Sequence, residues 1–340
     1  MRILIIGGTG LISSGITPLL LKDGHNVTLY NRGQSIVQFE DTTKRIVGDR
    51  SDLAAFERTM AASGSWDCVI DMICFTPEQA ESAVRAFSGR TDQYVFCSTV
   101  DVYQKTDARY PITEDAPQGQ SAAFPYAVDK GRCEAVFREA QAAGDLCVTT
   151  IRPAQTYGEG GRLVHTMGFE TFVIDRMRKG QPIIVHGDGS SLWAACHRDD
   201  VARAFVGAAG NPTAYGKAYH VTAKEWLTWD RYYRHVAQAA GAPDPELVHI
   251  PTDLLLRAAP ERASWCAENF SFNNIFDNTA ARNDLGFCYT IPFVEGMARA
   301  IAWMDAHDMI EPSESYPYYD RMIDAWKTCS DEMVCALGGA

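Results

Sequence analysis

Residues 2–13 read RILIIGGTGLIS, a short apolar run that leads directly into a glycine-rich segment. The run predicts a buried β-strand, and the residues after it predict a tight turn and a helix. Gly7 and Gly10 allow the backbone to turn sharply, so a pyrophosphate can approach the free N–H groups at the helix N-terminus. Ser13 stands where a third glycine is usual, and serine is small enough for close helix–strand packing. The residues predicted to contact a dinucleotide here are Gly7, Thr9, Gly10, Leu11 and Ile12.

Apolar runs alternate with helical segments over the first 150 residues, a pattern typical of a parallel sheet covered on both faces. Pro77–Phe87 and Pro125–Ala143 are predicted helices within this region. After Pro153 the alternation breaks, and Thr166–Lys179 is the next predicted helix. The sequence therefore predicts an α/β protein with a Rossmann-like, doubly wound parallel sheet and a smaller, mostly helical C-terminal substrate domain.

The predicted domain boundaries follow this change of pattern. Residues 1–155 form the nucleotide-binding domain, to which residues 195–223 return. Residues 156–194 and 224–325 form the substrate-binding domain. Residues 326–340 are a candidate mobile tail.

Composition restricts the classes of partner. The 340 residues carry 31 basic and 43 acidic side chains, a net charge of −12, which argues against a nucleic-acid partner. Ten cysteines include no C-x-x-C pair, and no spacing of His, Asp or Glu suggests a metal site. No apolar run approaches the roughly 20 residues of a membrane span, and the first strand leaves no room for a signal peptide. A cytoplasmic location without membrane contact is expected.

Tyr126 and Lys130 lie four residues apart on the predicted helix Pro125–Ala143, so their side chains share one face. An ammonium beside a phenol favours the phenolate, and Lys130 is expected to lower the pKa of Tyr126. Such a tyrosine can exchange a proton with a substrate oxygen while a hydride moves to or from the adjoining carbon. Tyr126 and Lys130 are therefore candidate catalytic residues.

The end of the second predicted strand indicates which dinucleotide binds. Asn31 and Arg32 stand at this end, and no acidic residue occurs between Asn26 and Phe39. An acid there would bind the ribose hydroxyls of NAD, whereas an arginine accommodates the 2′-phosphate of NADP. NADP is therefore favoured over NAD. Asp49, after the third strand, either contacts the adenine or caps the next helix.

Residues after the fifth predicted strand point into the crevice in which substrates bind. Thr99 is the preferred candidate for orienting the substrate oxygen, and Ser98 is the alternative. Asp101 is a candidate substrate-binding residue, or it caps the following turn.

Together these residues resemble the extended branch of the short-chain dehydrogenase/reductase superfamily, which contains NAD-dependent epimerases and dehydratases. The resemblance covers roughly residues 1–305. It also includes Arg152-Pro153, Tyr157-Gly158, and Gly187-Asp-Gly189 followed by Asp199-Asp-Val-Ala202. It implies the acid/base role of Tyr126, an activating and ribose-binding role for Lys130, a cofactor contact at Pro153, and a homodimer formed through the helices at 77–87 and 125–143.

Departures from the family pattern concern the substrate. Members that use nucleotide sugars usually have asparagine where this chain has Gln155, and arginine where it has Trp193. Loss of these phosphate contacts favours a sugar or polyol without a nucleotide, stacked on an aromatic side chain such as that of Trp193. In the alternative, phosphate contacts have moved to Arg162, His165 or Arg198. Val100-Asp101 replaces the Asp-Glu pair of the family's dehydratases, which makes dehydration less favoured.

The sequence thus predicts an NAD(P)-dependent sugar or polyol epimerase or oxidoreductase. Two alternatives remain open at this point. The first is a nucleotide-sugar epimerase or dehydratase. The second is a non-catalytic NADPH-binding or RNA-binding regulator on the same fold.

Overall fold

The computed structural model describes residues 1–34, 41–119 and 121–339, which divide into two compact units. Unit 1 comprises Met1–Thr156, Ala194–Lys224 and Ile275–Ile291. Unit 2 comprises Tyr157–Trp193, Glu225–Asn274 and the residues from Pro292 onward. The chain therefore leaves unit 1 and returns to it twice.

Within the described residues the strands are β1 (Arg2–Ile6), β2 (Asn26–Asn31), β3 (Lys44–Val47), β4 (Trp66–Asp71), β5 (Thr91–Cys97), β6 (Val148–Pro153), β7 (Gln155–Tyr157), β8 (Ile183–His186), β9 (Leu192–Trp193), β10 (Ala195–His197), β11 (Ala218–Val221), β12 (Leu227–Thr228) and β13 (Leu247–Ile250). The α-helices are α1 (Ser13–Lys22), α2 (Leu53–Ala62), α3 (Pro77–Phe87), α4 (Pro125–Ala143), α5 (Phe172–Arg178), α6 (Arg198–Ala208), α7 (Trp229–Ala239), α8 (Thr252–Ala258), α9 (Pro260–Trp265), α10 (Thr279–Leu285), α11 (Phe293–Ala306) and α12 (Pro317–Ala336).

Unit 1 is built on a parallel sheet in the order β11-β6-β5-β4-β1-β2-β3. Every neighbouring pair in this order is parallel, for example Ile5 of β1 opposite Leu29 of β2 and Ile70 of β4. The order reverses direction at β1, so the carboxyl ends of β1 and β4 border a crevice in which ligands of such sheets bind. The prediction of a doubly wound, Rossmann-like α/β fold is confirmed.

Alternate residues of β1 feed two separate cores, because successive side chains of a strand point to opposite faces. Ile3 and Ile5 pack with residues of α1, α6 and α10. Leu4 and Ile6 pack with residues of α2, α3 and α4. All four side chains are fully buried, so helices cover both faces of the sheet.

The limits of α3 and α4 are set by local chemistry that the sequence displays. The hydroxyl of Thr76 accepts a hydrogen bond from the N–H of Gln79, and the side-chain oxygen of Gln79 accepts one from the N–H of Thr76, which forms a capping box. Helix α4 begins with a proline and ends before Gly144. The φ of Gly144 is +79°, in the left-handed region, so a right-handed helix cannot continue through it.

Unit 2 is mostly helical, with β8 paired to β13 and β9 paired to β12. Its first helix, α5, begins at Phe172 instead of Thr166, because His165 and Gly168 exchange two backbone hydrogen bonds in a tight turn. Residues 326–336, part of the segment predicted as a tail, belong to α12. None of the helices in the described ranges combines the length and apolar character needed to cross a membrane.

Candidate active site

The loop between β1 and α1 has the backbone geometry that a pyrophosphate site requires. Gly7 has a φ of +84°, and a Cβ there would lie 2.6 Å from Cγ2 of Ile73. A Cβ on Gly8 would lie 2.6 Å from Cδ2 of Leu29. Gly7 therefore favours glycine by its φ, and a side chain at Gly8 would have to displace Leu29, so both positions keep a bare backbone surface before the N-terminus of α1.

Ser13 is small enough for the position usually taken by the third glycine, and its hydroxyl also links two residues of the loop. Its Oγ donates to the carbonyl of Gly7 at 2.8 Å and accepts from the N–H of Gly10 at 2.8 Å. The close helix packing usually attributed to a third glycine occurs two residues later, where a Cβ on Gly15 would lie 2.9 Å from Cβ of Ala202. Ser13 therefore replaces a glycine by adding a hydrogen-bonded bridge.

Ser13→Ala is expected to lower the free energy of unfolding by about 1–3 kcal/mol, because it removes the side-chain acceptor that the N–H of Gly10 uses. Dinucleotide affinity should fall several-fold, since the loop loses its bridge. Thermal unfolding and fluorescence titration with the dinucleotide measure the two effects. Ser88→Ala, at an exposed serine after α3, is the matched control. An unchanged melting temperature and affinity in Ser13→Ala would contradict the bridging role.

A cavity of about 500 Å³ opens beside the glycine loop. Among residues 1–34, 41–119 and 121–339, no partner accepts a hydrogen bond from Nδ2 of Asn31 or from Nε and Nη1 of Arg50. Both residues are at least nine-tenths buried, and buried donors without partners are costly. The cavity lining includes Gly7, Thr9, Gly10, Asn31, Arg32, Gly33, Asp49 and Arg50. The glycine loop and these unsatisfied donors fit a dinucleotide, with Asn31 and Arg32 at its adenosine end.

Asp49 lines the same cavity as an ionised carboxylate. It accepts hydrogen bonds from the N–H and the hydroxyl of Ser51, at 2.9 and 2.7 Å, and these bonds hold its pKa below the usual range. The alternative that Asp49 caps the next helix is wrong, because Asp52 caps α2 by accepting from the N–H of Ala55. Asp49 is therefore available to the cavity.

Thr99 lies directly after β5, and its hydroxyl lies close to two candidate residues. It donates to Asp101 at 3.1 Å, and it lies close enough to the phenol of Tyr126 to lower the pKa of that group against the larger effect of burial. Thr99 also caps the 3₁₀ turn Val100–Val102, so the alternative capping role of Asp101 is wrong. The Asp101 carboxylate instead pairs with the buried Lys105 at 3.3 Å.

Tyr126 is 38% exposed at the start of α4. Its pKa is raised, chiefly because the phenol oxygen is shielded from solvent, and further by the nearby carboxylate of Asp101. The prediction that Lys130 lowers this pKa is therefore wrong. Lys130 is buried and donates to the carbonyls of Cys74 and Cys97, at 2.9 and 2.6 Å. Its ammonium thus satisfies backbone oxygens after β4 and at the end of β5.

Ser98 is directed away from Thr99. Its hydroxyl donates to Glu134 at 2.5 Å, and Glu134 forms a two-point ion pair with Arg152 at 2.7 and 2.9 Å. Burial alone would raise the pKa of Glu134, but the hydrogen bonds from Arg152, Ser98 and Gln118 lower it. Ser98 therefore belongs to a buried network, and Thr99 is the hydroxyl near Tyr126.

The remaining candidate residues are dispersed. Leu11 and Ile12 are half-buried before α1, and Pro153 is the last residue of β6. Gln155 is half-buried in β7. Arg162, exposed, and Trp193 belong to unit 2.

Trp193 has little surface left for a ligand. It is 4% exposed and packs against Trp229 and Phe270, with ring centroids 5.2 and 5.1 Å away. The expectation that a substrate stacks on Trp193 is not supported by this position.

Residues 3–222 match the model of the NAD-dependent epimerase/dehydratase family, which is well over half of the chain. The chain belongs to this family. The prediction of an NAD(P)-dependent epimerase or oxidoreductase of the extended short-chain dehydrogenase/reductase type is confirmed.

Three relatives of this chain carry names that describe quite different functions. Chloroplast stem-loop binding protein of 41 kDa b from Arabidopsis thaliana is 31% identical over 73% of this chain, which spans 65% of that protein's length. The 2′-dehydrokanamycin reductase of Streptomyces kanamyceticus is 27% identical over 82% of this chain and 77% of its own. A UDP-glucose 4-epimerase of Mycolicibacterium smegmatis is 27% identical over 88% of this chain and 97% of its own.

Solved structures support the epimerase/dehydratase fold at lower identity. Pal from Bacillus thuringiensis superposes with a TM-score of 0.73 and 20% identity, over 90% of this chain and all of that one. UDP-glucose 4-epimerase from Thermotoga maritima, solved with UDP-glucose, gives a TM-score of 0.69 and 19% identity, over 90% and 99% of the two chains.

Sequence reasoning missed three residues at the site of this epimerase/dehydratase family member. Glu134 stands four residues after Lys130, so the helical spacing alone would have placed both on one face. Lys105 stands four residues after Asp101, the same spacing. Arg50 directly follows Asp49, but nothing in the sequence indicates that its side chain is buried beside the cavity.

Proposed function

We propose that this chain is an NAD(P)-dependent oxidoreductase or epimerase acting on a sugar or sugar-like polyol, with Tyr126 as the acid and base. The observation that carries the proposal is the proximity of the Thr99 hydroxyl to the Tyr126 phenol. It brings together the end of β5 and the start of α4 in the unit that also holds the glycine loop. Lys130 is fixed one helical turn away by two backbone carbonyls.

Each residue has a defined task in this proposal. Thr99 donates a hydrogen bond to the substrate oxygen and orients it beside the phenol. When the substrate is a ketone, Tyr126 gives its proton to the carbonyl oxygen, and the carbon receives a hydride. The dinucleotide, when bound, supplies or accepts that hydride. Lys130, held by the carbonyls of Cys74 and Cys97, has the ribose-binding role that the family resemblance implies.

Tyr126 carries its proton at neutral pH, the form that the reductive direction uses. A phenol that keeps its proton at neutral pH is prepared to donate it to a carbonyl. Epimerisation needs the same two transfers in succession and returns the hydride to the opposite face. Net reduction is therefore the first activity to test, and epimerisation is the second.

The choice of substrate class rests on Gln155 and on the position of Trp193. Neither supplies the phosphate contact that nucleotide-sugar members usually have. The similarity to 2′-dehydrokanamycin reductase supports a sugar-like polyol, whereas the similarity to UDP-glucose 4-epimerase supports a nucleotide sugar. Following NAD(P)H absorbance with matched panels of free keto-sugars and UDP-sugars tests this choice. Turnover only of the UDP-sugars would overturn the polyol proposal.

NADP is proposed over NAD because Arg32 lines the cavity and no acidic residue occurs between Asn26 and Phe39 in the sequence. Arg32→Ala is expected to weaken NADPH binding at least about tenfold, or ~1.4 kcal/mol, because a charge-assisted contact to the 2′-phosphate is lost. NADH binding should change less than about twofold. Fluorescence titration with both cofactors measures this, and Arg58→Ala, at an exposed arginine on α2, is the control. Equal loss for both cofactors, or no loss, would contradict the preference.

RNA binding is a second candidate function, favoured by the name of the stem-loop binding relative. The net charge of −12 opposes it, because affinity for RNA depends on neutralising phosphates. A gel-shift titration with a stem-loop RNA at low and at physiological salt tests whether the chain binds RNA. Binding that persists at physiological salt would establish the second function.

Two further proposals accompany the activity. We propose a homodimer, as the family resemblance implies. We also propose a reducing, cytoplasmic setting, with which ten free cysteines agree.

A further inference from the structure

Unit 2 contains a largely apolar groove of about 450 Å³, which we call the C-terminal groove. Helix α12 contributes one face to its lining, on which Met322, Ala325, Trp326 and Cys329 follow one another at helical spacing. The rest of the lining comes from the end of β13, from α8 and from α9. Small-molecule sites are typically of this size, mostly apolar with a few polar groups that fix the ligand.

The charged residues in this lining are basic. Arg262 and Arg321 line the groove, and no aspartate or glutamate is among the described residues that line it. The whole chain carries a net charge of −12, so the groove has the opposite charge to the protein as a whole. The C-terminal groove therefore favours an anion over a cation.

Arg262 is held so that one edge of its guanidinium stays available. Its Nη1 donates to Glu170 at 3.1 Å and to the phenol oxygen of Tyr318 at 3.2 Å, and its Cζ lies 4.2 Å from the centroid of the Tyr318 ring. Nε and Nη2 have no partner within residues 1–34, 41–119 and 121–339. The edge that carries Nε and Nη2 can bind both oxygens of a carboxylate at once.

Arg321 brings a second cation to the same end of the groove. It is exposed, and it makes no ion pair or hydrogen bond with any residue that the structure describes. It follows Tyr318, the residue that Arg262 contacts, by three positions on α12, so the two lie on one face. Beyond Arg321 the lining from α12 is apolar as far as Cys329, which lies about 12 Å further along the helix axis.

The groove is thus cationic at one end and apolar along the rest of its length. A fatty carboxylate has the complementary form, with one negative head and a long apolar chain. We propose that the C-terminal groove binds a long-chain carboxylate, with its head on Arg262 and Arg321 and its chain against Met322 and Trp326. This site shares no residue with the dinucleotide cavity, whose lining belongs to unit 1, so it is additional to the proposed function.

The first test is calorimetric titration of the full chain, freed of bound lipid, with dodecanoate below its micelle concentration. One saturable site per chain is expected. Decanoate and then octanoate should each bind at least about fivefold more weakly than the preceding carboxylate, because two methylene groups fewer are buried. Dodecyltrimethylammonium, which has the opposite charge, should bind at least about tenfold more weakly than dodecanoate.

Three results of this titration would overturn the proposal. They are the absence of saturable binding, an affinity that does not depend on chain length, and equal affinity for the cationic amphiphile. A fourth is a chain that sediments with anionic phospholipid vesicles but does not bind free dodecanoate, because the groove would then belong to a membrane surface.

Arg321→Glu tests the cationic end. It should weaken dodecanoate binding at least about tenfold, because it places a negative charge beside the carboxylate. Its circular dichroism spectrum should be unchanged, since the side chain is exposed. Arg257→Glu is the matched control, at a 74% exposed arginine of α8 outside the lining, and should change the affinity less than about twofold. Equal losses in the two variants, or no loss in Arg321→Glu, would contradict the head site.

Ala325→Trp tests the apolar length. Ala325 is exposed and lines the groove, so an indole there should occupy the space of the chain and weaken binding at least about tenfold without lowering the melting temperature. Ala336→Trp, at an exposed alanine of α12 outside the lining, should bind dodecanoate as the wild type does. An unchanged affinity in Ala325→Trp overturns the proposal.

The last measurement separates this site from the dinucleotide cavity. Dodecanoate affinity should be the same with and without an excess of NAD or NADP, because the two sites have no lining residue in common. Displacement of dodecanoate by either dinucleotide would place it in the other cavity and overturn the proposal. Turnover is a separate readout, so failure of the catalytic proposal leaves the outcome of these titrations unaffected.

Discussion

Tyr126→Phe is expected to reduce turnover by at least about a hundredfold while leaving dinucleotide binding unchanged. The substitution removes the only atom that we propose to exchange a proton with the substrate oxygen, and positioned acid or base groups typically contribute about 10²–10⁴-fold. The ring and its packing remain. Steady-state assays in the reductive direction, together with fluorescence titration of the cofactor, separate chemistry from binding.

The control for this variant is Tyr215→Phe. Tyr215 is also a surface tyrosine of unit 1, 36% exposed, and it lies far along the chain from the glycine loop and from α4. Its turnover should match the wild type. Full activity in Tyr126→Phe would refute the acid/base assignment, and it would favour the non-catalytic alternative.

Glu134→Ala is expected to cost about 3–5 kcal/mol of folding free energy, because it leaves the guanidinium of Arg152 buried without its carboxylate. Glu134 and Arg152 are 2% and 4% exposed. Ser98 and Gln118 lose their hydrogen-bond acceptor as well. Urea denaturation measures the loss as a lower midpoint at an unchanged slope. Glu139→Ala, at an exposed position on the same helix, should change the free energy by less than about 0.5 kcal/mol.

The pH dependence gives an independent check on Glu134. Its pKa is lower in the folded protein than the ordinary value of 4.5. Its contribution is therefore fully present above pH 4.5 and is lost as the pH falls through the folded pKa. The stability difference between wild type and Glu134→Ala should shrink below pH 4.5. A difference that stays constant in that window would mean that the carboxylate charge is not involved.

Local signals in the sequence were sufficient for much of the fold. Helices α3 and α4 have the predicted limits, because proline at the start and a helix-ending residue after the last turn act within the segment itself. The helix predicted at Thr166–Lys179 starts late, since Gly168 forms a turn with His165 that hydrophobic spacing does not reveal. Turn geometry of this kind depends on hydrogen bonds between particular backbone atoms.

The site was harder to predict wherever the result depends on long-range surroundings. The spacing of Tyr126 and Lys130 indicated a shared helix face, yet the pKa of Tyr126 is set by burial and by Asp101, which comes from another segment. The burial of Trp193 could not be predicted from the sequence either, because the aromatic side chains that cover it lie about 36 and 77 residues further along the chain.

Unit 1 is assembled from three separate segments of the chain, and this has a consequence for its synthesis on the ribosome. Strand β11 and helix α6, which complete the sheet and one of its cores, follow Thr156, and the last segment of the unit ends at Ile291. At roughly 5–20 residues per second, the ribosome needs roughly 7–27 s to make the residues between Thr156 and Ile291. Before α6 and α10 are made, the emerging chain holds β1 to β6 with one apolar face covered by α1 alone. A nascent chain of this protein should therefore recruit chaperones until residue 291 has left the exit tunnel.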